Sequence, residues 1–124
     1  MILFDHIEVH VSNPENYCKF LNSLFKGGRY SKISENGTYM FQTQDQIHFE
    51  VKKSKDSTIK SIGGKGFCMP CLRMENAYDH LSSLSLKITK ELSNPDGPCY
   101  FFTDIEGIDW HIKSYIIKDC YINI

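Results

Sequence analysis

With 124 residues, 41% of them hydrophobic, the chain is long enough to bury one core and too short for a second independent domain. Its 14 Lys and Arg against 15 Asp and Glu give a formal net charge of -1 with no long block of either sign, which argues against nucleic acid or an anionic membrane as the main partner. Five cysteines scattered along the chain suit a reducing compartment, and neither a signal-peptide pattern nor an apolar run of membrane-span length is present, so a cytoplasmic location is expected.

Residues 4–11 alternate, with Ile7, Val9 and Val11 on one face and His6, Glu8 and His10 on the other, the period of a half-buried strand. Ser12-Asn13-Pro14 then supplies a cap and a first-turn proline for a helix whose apolar face is Tyr17, Phe20, Leu21 and Leu24 and which ends at Gly27-Gly28. Three strand-like runs follow, 29–33, 38–43 and 46–52, separated by the turn residues Glu35-Asn36-Gly37 and Gln44-Asp45. Residues 53–64 are polar and read as a linker, and Lys52-Lys53-Ser54-Lys55 reads as a solvated part of it. The order then repeats: a strand over 66–73, a helix over 75–84, and strands over 87–92, 99–103 and 108–115. Leu21-Asn22-Ser23-Leu24 even echoes Leu81-Ser82-Ser83-Leu84 at an offset of 60 residues, as an internal duplication would. The expected fold is α+β: two βαβββ modules, about 4–52 and 65–115, in one domain spanning 1–124, with mixed curved sheets forming a cleft, helices on the outer faces and a tail over 116–124.

Three strands carry ionisable side chains on the face opposite their core residues. His6, Glu8 and His10 lie on the first, His48, Glu50 and Lys52 on the fourth, and Asp109, His111 and Lys113 on the last, against Ile47, Phe49 and Val51 and against Ile108, Trp110 and Ile112. One reading is an amphipathic sheet with its polar side in water. The other is that imidazoles and a carboxylate converge on one divalent cation, for which neutral imidazole nitrogen and carboxylate oxygen suit Zn, Ni, Mn or Fe.

Asp5-His6-Ile7-Glu8-Val9-His10-Val11-Ser12-Asn13, His48-Phe49-Glu50-Val51 and the turn and strand from Phe102 through Asp104-Ile105-Glu106-Gly107 to Ile112 resemble the vicinal oxygen chelate superfamily, the glyoxalase, bleomycin-resistance and extradiol dioxygenase group. The resemblance covers about residues 4–115. Metal-dependent members place one ligand on the first and last strand of each module, which implies His6, Glu50 and His111 as metal ligands and Glu50 as the catalytic candidate. The remaining ligand should fall within 66–69, where Gly66-Phe67-Cys68-Met69 offers no His, Glu or Gln. The resemblance implies a metal-dependent lyase, isomerase or dioxygenase acting on a small molecule with vicinal oxygens, or else a metal-free protein that binds a drug or other small ligand as bleomycin-resistance proteins do. It also implies a homodimer.

Other candidates have a plainer reading. Cys68-Met69-Pro70-Cys71 is a CxxC, but residues three apart on a strand point to opposite faces and no second CxxC completes a zinc site. His10, His48 and Glu8 read as polar cleft or surface residues, each with some capacity to act as a base. His80 reads as solvated, and Tyr39, Phe41, Tyr100, Phe101 and Phe102 read as core.

Overall fold

The computed structural model describes residues 1–56, 60–62, 69–93, 95 and 97–114. The chain divides into two compact units, Met1–Cys68 and Met69–Ile124.

The first unit opens with β1 (Ile7–Val11), whose Val9 and Val11 are fully buried. Helix α1 (Pro14–Leu24) follows at once because Asn13, in extended conformation, accepts a hydrogen bond from Asn16 N through its side chain, while Pro14 takes the first-turn position where no N–H is needed. The cap is worth about 1 kcal/mol. Tyr17, Cys18, Phe20, Leu21 and Leu24 recur at helical spacing and are buried on the sheet. The helix stops as Lys26 turns left-handed (φ 56), ahead of Gly27-Gly28. The chain then makes β2 (Arg29–Lys32), β3 (Tyr39–Gln42) and β4 (His48–Lys53), an antiparallel meander. β4 returns beside β1 in parallel, with Glu8 opposite Glu50 and His10 opposite Lys52. The span expected as a linker contains β5 (Ser61–Ile62), which pairs antiparallel with the free edge of β1, so the sheet order is β2-β3-β4-β1-β5. Ile62 is buried there, next to Val9.

The second unit repeats the plan with β6 (Cys71–Met74), α2 (Ala77–Ser83), β7 (Ile88–Leu92), β8 (Cys99–Thr103) and β9 (Asp109–Ser114). β6 runs parallel to β9, Cys71 opposite His111, and β9, β8 and β7 pair antiparallel, giving the order β6-β9-β8-β7. Its core is Trp110, Phe102, Ile112, Leu81 and Ala77. His80, expected in solvent, is buried: Ala77, His80 and Leu81 stand three and four apart, on the stripe of α2 that packs on β9. Ile47, expected in the core, is 45% exposed because it closes the β3–β4 turn. The expected strand over 66–73 begins at Cys71; residues 66–68, including one cysteine of the CxxC, and the tail over 116–124 lie outside the described residues.

The turns ahead of the two closing strands share one construction. Thr43 N donates to Ile47 O, and the Thr43 hydroxyl accepts from Ile47 N; Asp104 N donates to Ile108 O, and Asp104 Oδ1 accepts from Ile108 N. The left-handed residue is Gln46 in the first turn and Gly107 in the second. By this alignment Glu50 and His111 occupy the same place in the two units.

Candidate metal centre

In the first unit the parallel pairing of β1 and β4 sets the ionisable residues side by side. His6, immediately ahead of β1, places Nε2 3.2 Å from Glu50 Oε2, and its Nδ1 lies 2.8 Å from Asp5 Oδ2. Lys52 Nζ lies 3.1 Å from Glu50 Oε1 and 3.4 Å from Glu8 Oε1, and Glu8 Oε1 also meets His10 Nε2 at 2.9 Å. One connected line therefore runs Asp5, His6, Glu50, Lys52, Glu8, His10. Lys52 lies in β4 and not in the linker, its half-exposed ammonium between two carboxylates.

The charge states follow from these contacts. The Asp5 carboxylate, followed by Glu50, holds the His6 imidazole above its ordinary range against a smaller opposing effect of burial. The hydrogen bond from His10, then Lys52, holds the Glu8 carboxyl below its ordinary range. Lys52 is raised, chiefly by its hydrogen bond to Glu50.

His6 and Glu50 form an ion pair at a spacing that a shared divalent ion could also span. A neutral imidazole carries one N–H, and two carboxylates face its two nitrogens. Either the ring is doubly protonated, or Nδ1 donates to Asp5 and the Nε2 lone pair shares a cation with Glu50. Ligand atoms about 2.0–2.1 Å from a tetrahedral ion are about 3.3 Å apart, close to the observed spacing. A carboxylate behind the distal nitrogen is the usual support of a metal-bound histidine.

His111 lies in the second unit, on β9. Its ring is stacked on Phe101, with centroids 5.0 Å apart and planes 9° from parallel, and Lys90 Nζ lies over the same Phe101 ring at 5.6 Å. His111 Nδ1 is buried and has no hydrogen-bond partner among the described residues. A buried nitrogen left unpaired costs about 1–3 kcal/mol. The structure thus brings His6 and Glu50 together within the first unit, and His111 belongs to the second. Among the described residues no three His, Cys, Asp or Glu side chains gather as a metal site.

The register also fixes where the second unit departs. His6 stands two residues before Glu8, the partner of Glu50; the same step back from Cys71, the partner of His111, reaches Met69. Met69 is 43% exposed, and Pro70 O accepts from His111 N, so the chain already runs along β9 there. Of the aromatic residues considered from sequence, Phe41, Tyr100 and Phe102 are core, Tyr39 donates to Glu15, and only Phe101 faces a candidate ligand. Asp5 as the support of His6 escaped the sequence reading; its signal was the acidic residue directly preceding a candidate ligand.

No family model and no curated protein matches the sequence. Solved structures do match. The fosfomycin resistance protein FosX from Listeria monocytogenes, complexed with Mn(II) and sulfate ion, superposes with a TM-score of 0.68 over 94% of this chain and 94% of that one, at 12% identity. A glyoxylase/bleomycin resistance protein/dioxygenase domain from Frankia sp. EAN1pec gives a TM-score of 0.69 over 94% of this chain and 99% of that chain, at 10% identity. The chain has the glyoxalase/bleomycin resistance/dioxygenase fold. FosX from Mesorhizobium loti is a further match, with a TM-score of 0.63, 14% identity, and 94% and 95% of the two chains covered. In each βαβββ module the closing strand returns parallel to the first, β4 beside β1 and β9 beside β6. Among the described residues no helix is long and apolar enough to cross a membrane.

Proposed function

We propose that the chain is a divalent-metal-dependent enzyme acting on a small substrate with vicinal oxygens, as a lyase, isomerase or dioxygenase. In this reading His6, Glu50 and His111 hold the metal, and Glu50 is also the catalytic residue. The observation that carries it is the 3.2 Å approach of His6 Nε2 to Glu50 Oε2 with Asp5 behind the ring. Zn, Ni, Mn and Fe all accept this donor set, and the Mn(II) bound by the Listeria FosX supports the class. A bound ion would supply Lewis-acid stabilisation of negative charge on a substrate oxygen.

The chain's own residues prepare that chemistry. In this reading Asp5 accepts from His6 Nδ1, which leaves Nε2 to face Glu50. Lys52 binds Glu50 Oε1 and leaves Oε2 turned toward His6. In this reading His111, with Nδ1 unprotonated, offers the third lone pair. We extend the reading, by analogy with the superfamily, to a cytoplasmic homodimer with a small molecule as its partner and neither nucleic acid nor membrane.

The test is elemental analysis of tag-free protein purified without chelator, with Glu50→Ala alongside. Near-stoichiometric metal in the wild type, lost in the variant, is the expected result. Wild-type protein that stays metal-free after incubation with Zn, Ni, Mn and ferrous iron would overturn it. That outcome would favour the second reading, a metal-free small-ligand binding protein of the bleomycin-resistance kind. Its specific support is Lys52, whose ammonium already pairs with both Glu8 and Glu50.

A further inference from the structure

At one end of the first unit's sheet, a pocket of about 300 Å³ is lined by Gly28, Arg29, Gln42, Thr43, Gln44 and Gln46. Its size is at the small end for ligand sites, which run from roughly 300 to 1,000 Å³. The lining side chains are one permanent cation, three primary amides and the Thr43 hydroxyl, which is engaged within its turn, donating to Asp45 Oδ1 and accepting from Ile47 N; no lining residue is a carboxylate.

Arg29 is the centre of this argument. Its only side-chain hydrogen bond among the described residues is a long one, from Nε to Gln42 Oε1 at 3.4 Å, and among those residues it pairs with no carboxylate. A guanidinium cannot discharge itself by losing a proton, so its charge stands available in the pocket. Its outer N–H groups form the planar fork that matches two oxygens of one anion. The Gln side chains add amide donors at the periphery.

The backbone beside Arg29 is tightly set. Gly28 has φ +137, and a Cβ there would stand 2.6 Å from Gln42 O and 2.7 Å from Phe41 Cζ. Only glycine lets β2 begin this close to the end of β3. Register places Arg29 opposite Gln42 and Gln42 opposite His48. Arg29 is thus about 10 Å, two strand spacings, from His48 along one row of the sheet.

We propose that this pocket is an oxyanion-binding site, taking the carboxylate or phosphoryl group of a small hydrophilic molecule on the Arg29 fork. It stands on the pocket alone and does not require a metal at His6 and Glu50. The experiment is an amide NMR titration of the metal-free full chain with malonate, with inorganic phosphate and with neutral malonamide, repeated on Arg29→Gln. Saturable shifts at Gly28, Thr43 and Gln44 with at least one anion, absent with malonamide and weakened at least about tenfold in Arg29→Gln, are expected. The tighter of the two anions identifies the ligand as a carboxylic acid or a phosphoryl compound. Shifts that do not saturate, that persist unchanged in Arg29→Gln, or that malonamide reproduces would overturn the proposal. Arg29 is exposed at a strand edge, so its replacement leaves the fold intact. Failure of this site with a metal-loaded wild type would leave the proposed metal chemistry standing, and the reverse holds equally.

Discussion

At His6, two carboxylates face two nitrogens of one ring, and this sets the sign of its pH behaviour. Its folded pKa lies above the ordinary 6.5, first because of Asp5 and then because of Glu50. Protonated His6 therefore stabilises the metal-free fold fully below 6.5, and that contribution is lost as pH rises through the raised value. Glu8 has the opposite sign. Held below 4.5 by His10, it contributes above that value and the contribution is lost as pH falls through its lowered one. Both effects on stability are small because these groups are partly solvated, so the ring itself is the better reporter. We expect the His6 ring protons of metal-free protein to titrate above 6.5, and Asp5→Asn to bring the midpoint down. A wild-type midpoint at or below 6.5 would mean that the two carboxylates do not act on the ring in solution.

Among the elements, the turn before β9 has the most demanding construction. Asp104 is 7% exposed; its Oδ1 accepts from Glu106 N at 2.8 Å and Ile108 N at 3.0 Å, and its Oδ2 from Trp110 Nε1 at 2.8 Å. The carboxylate ties the turn to the largest core side chain of its unit and aims β9, which carries His111. Asp104→Ala would leave all three donors without this acceptor, one of them on the fully buried Trp110. The expected cost is about 2–4 kcal/mol in urea unfolding, with Asp104→Asn costing less because it keeps one acceptor oxygen. Gly107→Ala should cost about 1 kcal/mol from its φ of +84 alone, since a Cβ there meets nothing within 4 Å. This turn was legible in the sequence because Asp104-Ile105-Glu106-Gly107 combines an acceptor with a left-handed residue at a fixed spacing. The strands were legible for a similar reason: period-two alternation exposes both the core face and the ionisable face. Burial of His80, pairing of Ser61 and Ile62 with β1 and the place of Lys52 between two glutamates were not legible. Each depends on a neighbour brought close by pairing or packing, and composition at the position itself carries no trace of that neighbour. The same limit applied to the site: the alternation put His6 and Glu50 on ionisable faces, but only the register of β1 against β4 makes them neighbours.

Across the whole molecule, the duplicated βαβββ plan supplies a comparison inside one chain. Thr43 and Asp104 open equivalent turns, Glu50 and His111 sit at equivalent places on the closing strands, and the parallel registers relate His6 to Met69. The first unit therefore offers imidazole and carboxylate, where the second offers imidazole and a thioether. A thioether is a poor partner for Mn, Ni or Zn, so Met69 subtracts one ligand from the hard or borderline set that the duplication would otherwise provide. In the proposed enzyme this loss has a use, because a three-ligand ion keeps positions for two substrate oxygens. Met69→His should then raise divalent-ion affinity about tenfold, measured by competition with a chromophoric chelator, and should lower turnover by filling a position that the substrate requires. Met69→Leu should change neither, because it alters packing without adding a donor. If Met69→His left metal affinity at the wild-type value while Glu50→Ala abolished it, the ion would belong to the first unit alone and His111 would have no part in holding it.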